Sequence, residues 1–365
     1  MTPSPRSRAR VLLRTLVVVG VGTSVLGLTG LALSRFFTDR PVVELLADVD
    51  WGWLALATGC VLAGTASHGP RMRPLLPDSP GATRPGTAAL GSLYVAASVL
   101  NLSFPGPAGE LAAAVVLGRT HGQRPTTVLA ASLHARFVAL LVAALITLAA
   151  LPVLDIPAEV RPIAWAGAGG LGLGGLVLGG LSFKPEVLRG LSDRINAPLA
   201  ERLPGPLGRG FGKVHLQVEQ LADSLVAVPR QGVGAYLSAA AWSVGSLLTS
   251  FTAILCAAQA FGLSPEWLGT FVTLCLTLIA AIALILLPGG LGSFDLTLVG
   301  MLVAAAGLTP EEAGLVLLGV RVAQVASVGL AAVVFLYWAR QLLDADVVEQ
   351  MESGVLDGDE SSTEG

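Results

Sequence analysis

Asn101-Leu102-Ser103-Phe104-Pro105-Gly106-Pro107-Ala108-Gly109-Glu110 places a Pro/Gly break and a carboxylate inside a stretch, 86–118, that is otherwise apolar. A second stretch, 267–306, repeats the pattern with Leu287-Pro288-Gly289-Gly290-Leu291-Gly292-Ser293-Phe294-Asp295. Each has a long apolar arm, a break that no regular helix survives, and a shorter apolar arm. Freed backbone groups at membrane depth are tolerated only where protein or a watery cavity satisfies them. Both stretches therefore read as hairpins that enter and leave the bilayer on the same side.

The rest of the chain agrees with lipid as the solvent. Of 365 residues, 53% are hydrophobic and 13% charged, about half the ~25% charge of a soluble domain. Runs long enough to cross a bilayer, ~20 apolar residues, lie at about 15–34, 51–67, 126–152, 162–183, 232–262 and 313–338. A β-barrel requires alternating segments of ~10 residues, and none occur. The fold class expected is all-α: a polytopic integral membrane protein with about six full transmembrane helices and two re-entrant hairpins. Gly170-x-x-x-Gly174 and Gly175-x-x-x-Gly179 suit close helix packing. Cys60, Cys256 and Cys275 are isolated in apolar runs and read as buried small hydrophobes, not as metal ligands or disulfides.

Six spans and two returning hairpins put both termini in the cytoplasm. Under that topology Arg35, Arg40 and Arg161 lie outside, Arg136 and Arg321 fall within spans, and all other Lys and Arg are cytoplasmic. This is the positive-inside bias of a bacterial-type inner (plasma) membrane protein. The organisation expected is a basic N-terminus 1–14, a first membrane half 15–183, a cytoplasmic linker 184–231, a second membrane half 232–340 and an acidic disordered tail 341–365. The first apolar run reads as an uncleaved helix, because further spans follow it. In the linker Val214, Val218, Leu221, Leu225 and Val228 recur at helical spacing, which predicts an amphipathic helix on the cytoplasmic interface. His68, His121 and His215 read as solvated loop residues.

Charges within spans cost at least ~2.5–3.5 kcal/mol on insertion scales and are functional candidates by default. Glu110, Arg136, Asp295 and Arg321 form two matching sets, each acid following a break and standing 26 residues before its arginine. One hairpin opens to the cytoplasm and the other to the outside, the signature of an inverted repeat with a site near the midplane. A short helix after each break directs its N-terminal N–H groups inward. With Arg136 and Arg321 beside them, these ends suit an anionic group such as a lipid phosphate. Glu110 and Asp295 would neutralise the arginines in its absence, or bind a cationic part of a headgroup. The alternative is a pair of ion pairs that fix helix packing. Asn101, Ser103 and Ser293 suit either freed backbone or a headgroup. Gln324 lies one turn after Arg321 on the same face, and His134 faces away from Arg136.

These two motifs resemble the integral-membrane region of lysylphosphatidylglycerol synthases, the flippase-like domain family. Asn101 to Glu110 matches its "N…P…GE" segment; Leu287 to Asp295, with Gly307 and Arg321 downstream, matches its "PGGLG…E" segment. The resemblance covers about 10–340. It implies a membrane region that moves an aminoacylated lipid between leaflets, and no aminoacyl-transferase domain is expected after Arg340. Where the family often carries basic residues after its first "GE", this chain has Ala112, Ala113 and Ala114, and Asp295 stands where Glu is usual. A lysylated substrate is therefore not carried over.

The function expected is translocation of a phospholipid or lipid-linked headgroup, with membrane lipids as partners. Two alternatives are a non-transporting membrane anchor for a separate lipid-modifying transferase, and an embedded enzyme using Glu110 or Asp295 as base. No hydrolase elbow, nucleotide loop or zinc spacing appears in the sequence. No enzymatic activity, cofactor, metal or nucleic-acid partner is expected.

Overall fold

Asp50 opens the first of the described helices: its carboxylate accepts the Gly52 N–H at 2.8 Å, and α1 (Trp51–Ala66) follows. The computed structural model describes residues 49–78, 81–103, 108–154, 158, 161–202, 216, 218–283 and 293–342, with Gly20, Glu44 and Ala47 as single positions. After α1 come α2 (His68–Met72), α3 (Thr87–Ser103), α4 (Ala108–His121), α5 (Pro125–Ala150), α6 (Arg161–Phe183) and α7 (Pro185–Arg202). A helical stretch over 218–227, α8, leads to α9 (Val233–Gln259), α10 (Trp267–Ala283), α11 (Ser293–Ala306) and α12 (Pro310–Leu342). Pro125, Pro185 and Pro310 each start a helix, where the missing N–H costs nothing and the ring pre-sets φ. No strand occurs among the described residues.

Three helices, α5, α9 and α12, are long and apolar enough to cross a membrane, and α3, α6, α10 and α11 carry shorter apolar segments. The expected spans 51–67, 126–152, 162–183, 232–262 and 313–338 coincide with α1, α5, α6, α9 and α12 to within a few residues. The expected first span, 15–34, lies outside the described residues apart from Gly20, so the full count of six stays with the sequence. So do Pro105, Gly106, Pro288, Gly289, Gly290 and Gly292 of the two breaks; their arms, α3 with α4 and α10 with α11, are in view.

From the short helices onward, the second set of elements repeats the first at a separation of 185 residues. It relates Ala108 to Ser293 at the short-helix starts, Gly122 to Gly307 at their ends, and Pro125 to Pro310 at the long-helix starts. Gly122 and Gly307 have φ of +68° and +73°. The next N–H, of Gln123 or Leu308, reaches back to the carbonyl of Leu117 or Leu302 at 3.3 and 3.4 Å, so the left-handed glycine ends each short helix in the same way. Each short helix is also tied to the segment entering its long arm, Thr83 N–H to His121 O at 2.9 Å and Glu266 N–H to Ala306 O at 3.0 Å.

The packing repeats as well. α1 touches α3 and α12, as α9 touches α10 and α5; α3 packs on α12, as α10 packs on α5. α1 and α9 run antiparallel. Asp50 N–H bonds Ala260 O at 3.0 Å at one end, and Gly64 stands against Thr249 and Ser250 toward the other. One apolar core centres on α3, α4 and α5, and a second on α5 and α9 to α12.

Two peripheral expectations change. Of the stripe on α8, Leu225 and Val228 are fully buried in the first core, so protein takes that end of it; Val218 and Leu221 are half-buried, and Val214 lies outside the described residues. The ends of α4 and α5 offer that stripe a protein surface. Ser224 bonds Thr126 at 3.1 Å, while Arg189 of α7 pairs with Glu219 at 3.4 Å and with Asp223. Of the glycine stripes on α6, Gly175 and Gly179 pack on Leu140, Leu141 and Phe137 of α5, whereas Gly174 meets nothing within 4 Å. Cys256 and Cys275 are buried as expected, and Cys60 is half-buried.

Candidate functional site

The first short helix sits almost in contact with its long arm. A Cβ on Gly109 would lie 2.0 Å from the Ala97 carbonyl oxygen, so only glycine permits this crossing. Across the break, Asn101 Oδ1 accepts the Gly109 N–H at 2.7 Å. Asn101 thus caps an orphan amide of α4, which resolves its two readings toward backbone. Glu110 follows in the first turn of α4 and forms an ion pair with Arg136 of α5. Its other carboxylate oxygen accepts from Ser132 Oγ, one turn before Arg136, at 3.3 Å. The Arg136 side chain is 35% exposed and that of Glu110 13%. This pair is partly exposed.

Sequence reasoning missed the residues that α2 adds. The sequence reading places His68 in a solvated loop and Arg71 on the cytoplasmic side. Instead Arg71 is 7% exposed, and its guanidinium donates to His68 Nδ1 at 2.6 Å. Arginine has no acceptor, so that ring nitrogen carries the lone pair. The reason is local: Gly69 has no side chain and lies flat on the Leu90 backbone of α3, drawing α2 into the core. His68 stacks on Tyr94 with ring centroids 6.3 Å apart, and Tyr94 OH donates to Met72 Sδ at 3.1 Å. Arg71 and Tyr94 both lie within electrostatic reach of Glu110 and Arg136. The run His68-Gly69-Pro70-Arg71 carries a weak signal only: a glycine and a proline at the end of an apolar helix. Beside α2 a groove of about 600 Å³ opens between α1, α3, α9 and α12, lined by Leu62, Ala66, Pro70, Gly91, Val95 and Trp242 among others.

The second pair has the same spacing and a different setting. Arg321 Nε donates to Asp295 Oδ1 at 2.7 Å, and its NH1 donates to Gln324 Oε1 at 2.8 Å. The guanidinium carbon stands 5.4 Å from the Phe294 ring centre, within cation–π range. Exposure is 3% for the Arg321 side chain and zero for Asp295. Gln324 joins the arginine as its register predicts. Ser293 heads α11, but its side chain and that of Ser103 lie outside the described residues. His134 is fully buried, bonds Ala130 O at 3.0 Å and meets Tyr236 edge-on, an ordinary helix contact as expected.

Both sequence pairs are therefore real ion pairs at the heads of short helices, in the frame that the two Pro/Gly motifs specify. The profile of the lysylphosphatidylglycerol synthase TM region matches residues 11–332. The chain belongs to that family. Neither a curated protein nor a solved structure matches it. In this member of the family, the acids and arginines that the two motifs identify meet across 26 residues in both halves. Chemically the two sites can hold an anion, exchange a carboxylate for one, or lock helices together, and their exposure separates these roles.

Proposed function

We propose that the protein translocates an anionic lipid headgroup between leaflets, with its site at the first short helix. The observation that carries this reading is Arg136, a span arginine whose side chain remains 35% exposed beside the first turn of α4. A guanidinium facing hydrocarbon is costly, so its exposed side has to meet something polar: water or a headgroup. The N-terminal N–H groups of α4 add positive potential in the same place.

The 185-residue repeat supports an alternating mechanism. Corresponding helices α1 and α9 run antiparallel, which is the relation expected of inverted halves around a shared site. In this reading both termini are cytoplasmic, the hairpins are re-entrant, and rocking of the halves exposes the site to each leaflet in turn. The protein is no enzyme; its partners are membrane lipids. Any driving force comes from gradients, ions or another protein.

The test is leaflet exchange of fluorescent anionic and zwitterionic phospholipids in proteoliposomes. Wild type is expected to accelerate exchange, and Arg136→Ala to return it to the level of empty vesicles while the protein stays folded. Exchange no faster than in empty vesicles for every lipid, or undiminished exchange by folded Arg136→Ala, overturns the proposal.

A further inference from the structure

The fold gathers arginines on one surface. Arg73 follows α2, Arg84 precedes α3, Arg119 lies in the last turn of α4, Arg124 precedes α5 and Arg230 precedes α9. Short bonds tie these segments together. Arg73 Nε donates to Pro85 O at 3.0 Å, and Arg84 donates to Leu76 O at 2.9 Å and to Gln231 Oε1 at 2.8 Å. Thr83 N–H reaches His121 O at 2.9 Å, and Gln123 Nε2 donates to Thr83 O at 3.3 Å. The arginines therefore border one face, where α3 begins and α4 ends: the mouth of the first hairpin.

That face is short of negative charge. Within 73–86, 119–124 and 229–231 the sole carboxylate is Asp78, and Arg84 takes it at 2.9 Å. Glu219 and Asp223 of α8 are held by Arg189. Arg73, Arg119, Arg124 and Arg230 are exposed, and none of them pairs with a carboxylate among the described residues.

The path of α12 brings the missing charge to this place. Trp338 Nε1 donates to Ser92 Oγ, near the start of α3, at 3.2 Å. The Trp338 ring packs in the same core as Leu75 and Val228, which stand two residues from Arg73 and Arg230. α12 ends at Leu342, about 6 Å of helix beyond Trp338. The residues that follow, 343–365, carry eight carboxylates and no Lys, Arg or His.

We propose that residues 343–365 dock in cis on this arginine face and cover the mouth of the first hairpin. Exposed ion pairs are individually weak and matter only as a network. Here α12 acts as the tether, and a short tether holds a second binding event at an effective concentration in the millimolar range. Eight carboxylates against four unpaired arginines leave acids to spare, so many registers of the segment satisfy the face and little ordering is required. The rival occupant of an arginine face at a bilayer is an anionic leaflet, which repels this segment. The inference uses neither Arg136 nor transport, so it stands or falls apart from the proposed function.

The experiment is zero-length carbodiimide coupling, which joins a carboxylate only to an amine in direct contact. Full-length Arg119→Lys and Arg230→Lys keep the charge and supply the amine. Each is studied in phosphatidylcholine nanodiscs and mapped by peptide mass spectrometry, with thermal unfolding as the check on folding. Positions 119 and 230 are expected to couple, within one chain, to carboxylates between Asp344 and Glu364. Salt near 1 M, where the screening length falls to about 3 Å, lowers the yield. Adding Arg73→Gln and Arg124→Gln to the Arg119→Lys protein lowers it on the order of tenfold, the loss of two exposed pairs. No coupling to residues 343–365 at either position in the folded proteins, coupling only between two copies, or a yield indifferent to salt overturns the inference and leaves these arginines to the leaflet.

Discussion

Asp295→Asn isolates the energetics of the closed pair. The carboxylate is fully buried, and the Arg321 side chain is 3% exposed with Nε 2.7 Å from Oδ1. Charge centres in such a contact lie about 4 Å apart, which at an effective dielectric of ~20 corresponds to ~4 kcal/mol of attraction. Breaking buried pairs by removing one partner costs about 3–5 kcal/mol, because the remaining charge has nowhere to go. Two independent routes thus give the same magnitude for Asp295→Asn. The double variant Asp295→Asn/Arg321→Met removes both charges and should recover most of that loss, since paired removal is often neutral. Glu110→Gln should cost less than Asp295→Asn, because Arg136 is partly exposed. Equilibrium unfolding in mixed micelles, followed by tryptophan fluorescence, measures all three. A loss below about 1 kcal/mol for Asp295→Asn, or a double variant as unstable as the single, refutes the dry-pair reasoning.

Three further outcomes follow from the hairpin geometry. Gly109→Ala puts a methyl 2.0 Å from the Ala97 carbonyl oxygen and should cost at least ~1–3 kcal/mol of overpacking, read as lower unfolding stability and faster proteolysis between α3 and α4. Asn101→Ala removes the acceptor for the Gly109 N–H and should cost about 1 kcal/mol, with Asn101→Asp restoring most of it at an exposed or neutralised site. Gly122→Ala and Gly307→Ala force a side chain onto φ of +68° and +73°; each should cost about 1 kcal/mol, and equal effects are expected because the two caps are built alike.

Much of the architecture was legible because lipid imposes simple demands. Apolar length gave α5, α6, α9 and α12 to within a few residues, and two Pro/Gly breaks divided α3 from α4 and α10 from α11. The 26-residue spacing gave the correct partners for Glu110 and Asp295, since a short helix, a tight turn and part of a long helix leave little freedom. What sequence reading could not give was the surroundings of each pair. Arg71 looked like one more cytoplasmic arginine, because the positive-inside rule counts charges and is blind to a glycine such as Gly69 that pulls one inward. The stripe of Leu221, Leu225 and Val228 announced an amphipathic helix but not its partner: lipid and the protein core impose the same periodicity, and here the core takes Leu225 and Val228.

The contrast between the pairs also bears on how a repeat acquires direction. Two identical sites across a pseudo-twofold would hold an anion equally well, and neither half would have a preferred task. Ser132 against Leu317, and the exposure of Arg136 against that of Arg321, break that equality. The Arg136 side chain remains 35% exposed beside Glu110, whereas Arg321 and Asp295 are buried against each other. An anion reaching Arg136 competes with Glu110 for it, so under the proposed function occupancy changes the contact between α4 and α5. The buried Arg321–Asp295 pair joins α11 to α12. The contact that a ligand at Arg136 alters is therefore the one between α4 and α5, while rocking of the halves leaves the buried Asp295–Arg321 contact within its own half. Cross-linking distances within the two hairpins, measured with and without phosphatidylglycerol, should change between α4 and α5 and stay fixed between α11 and α12. Equal changes in both would return the two halves to equivalence and undo the assignment of a single site.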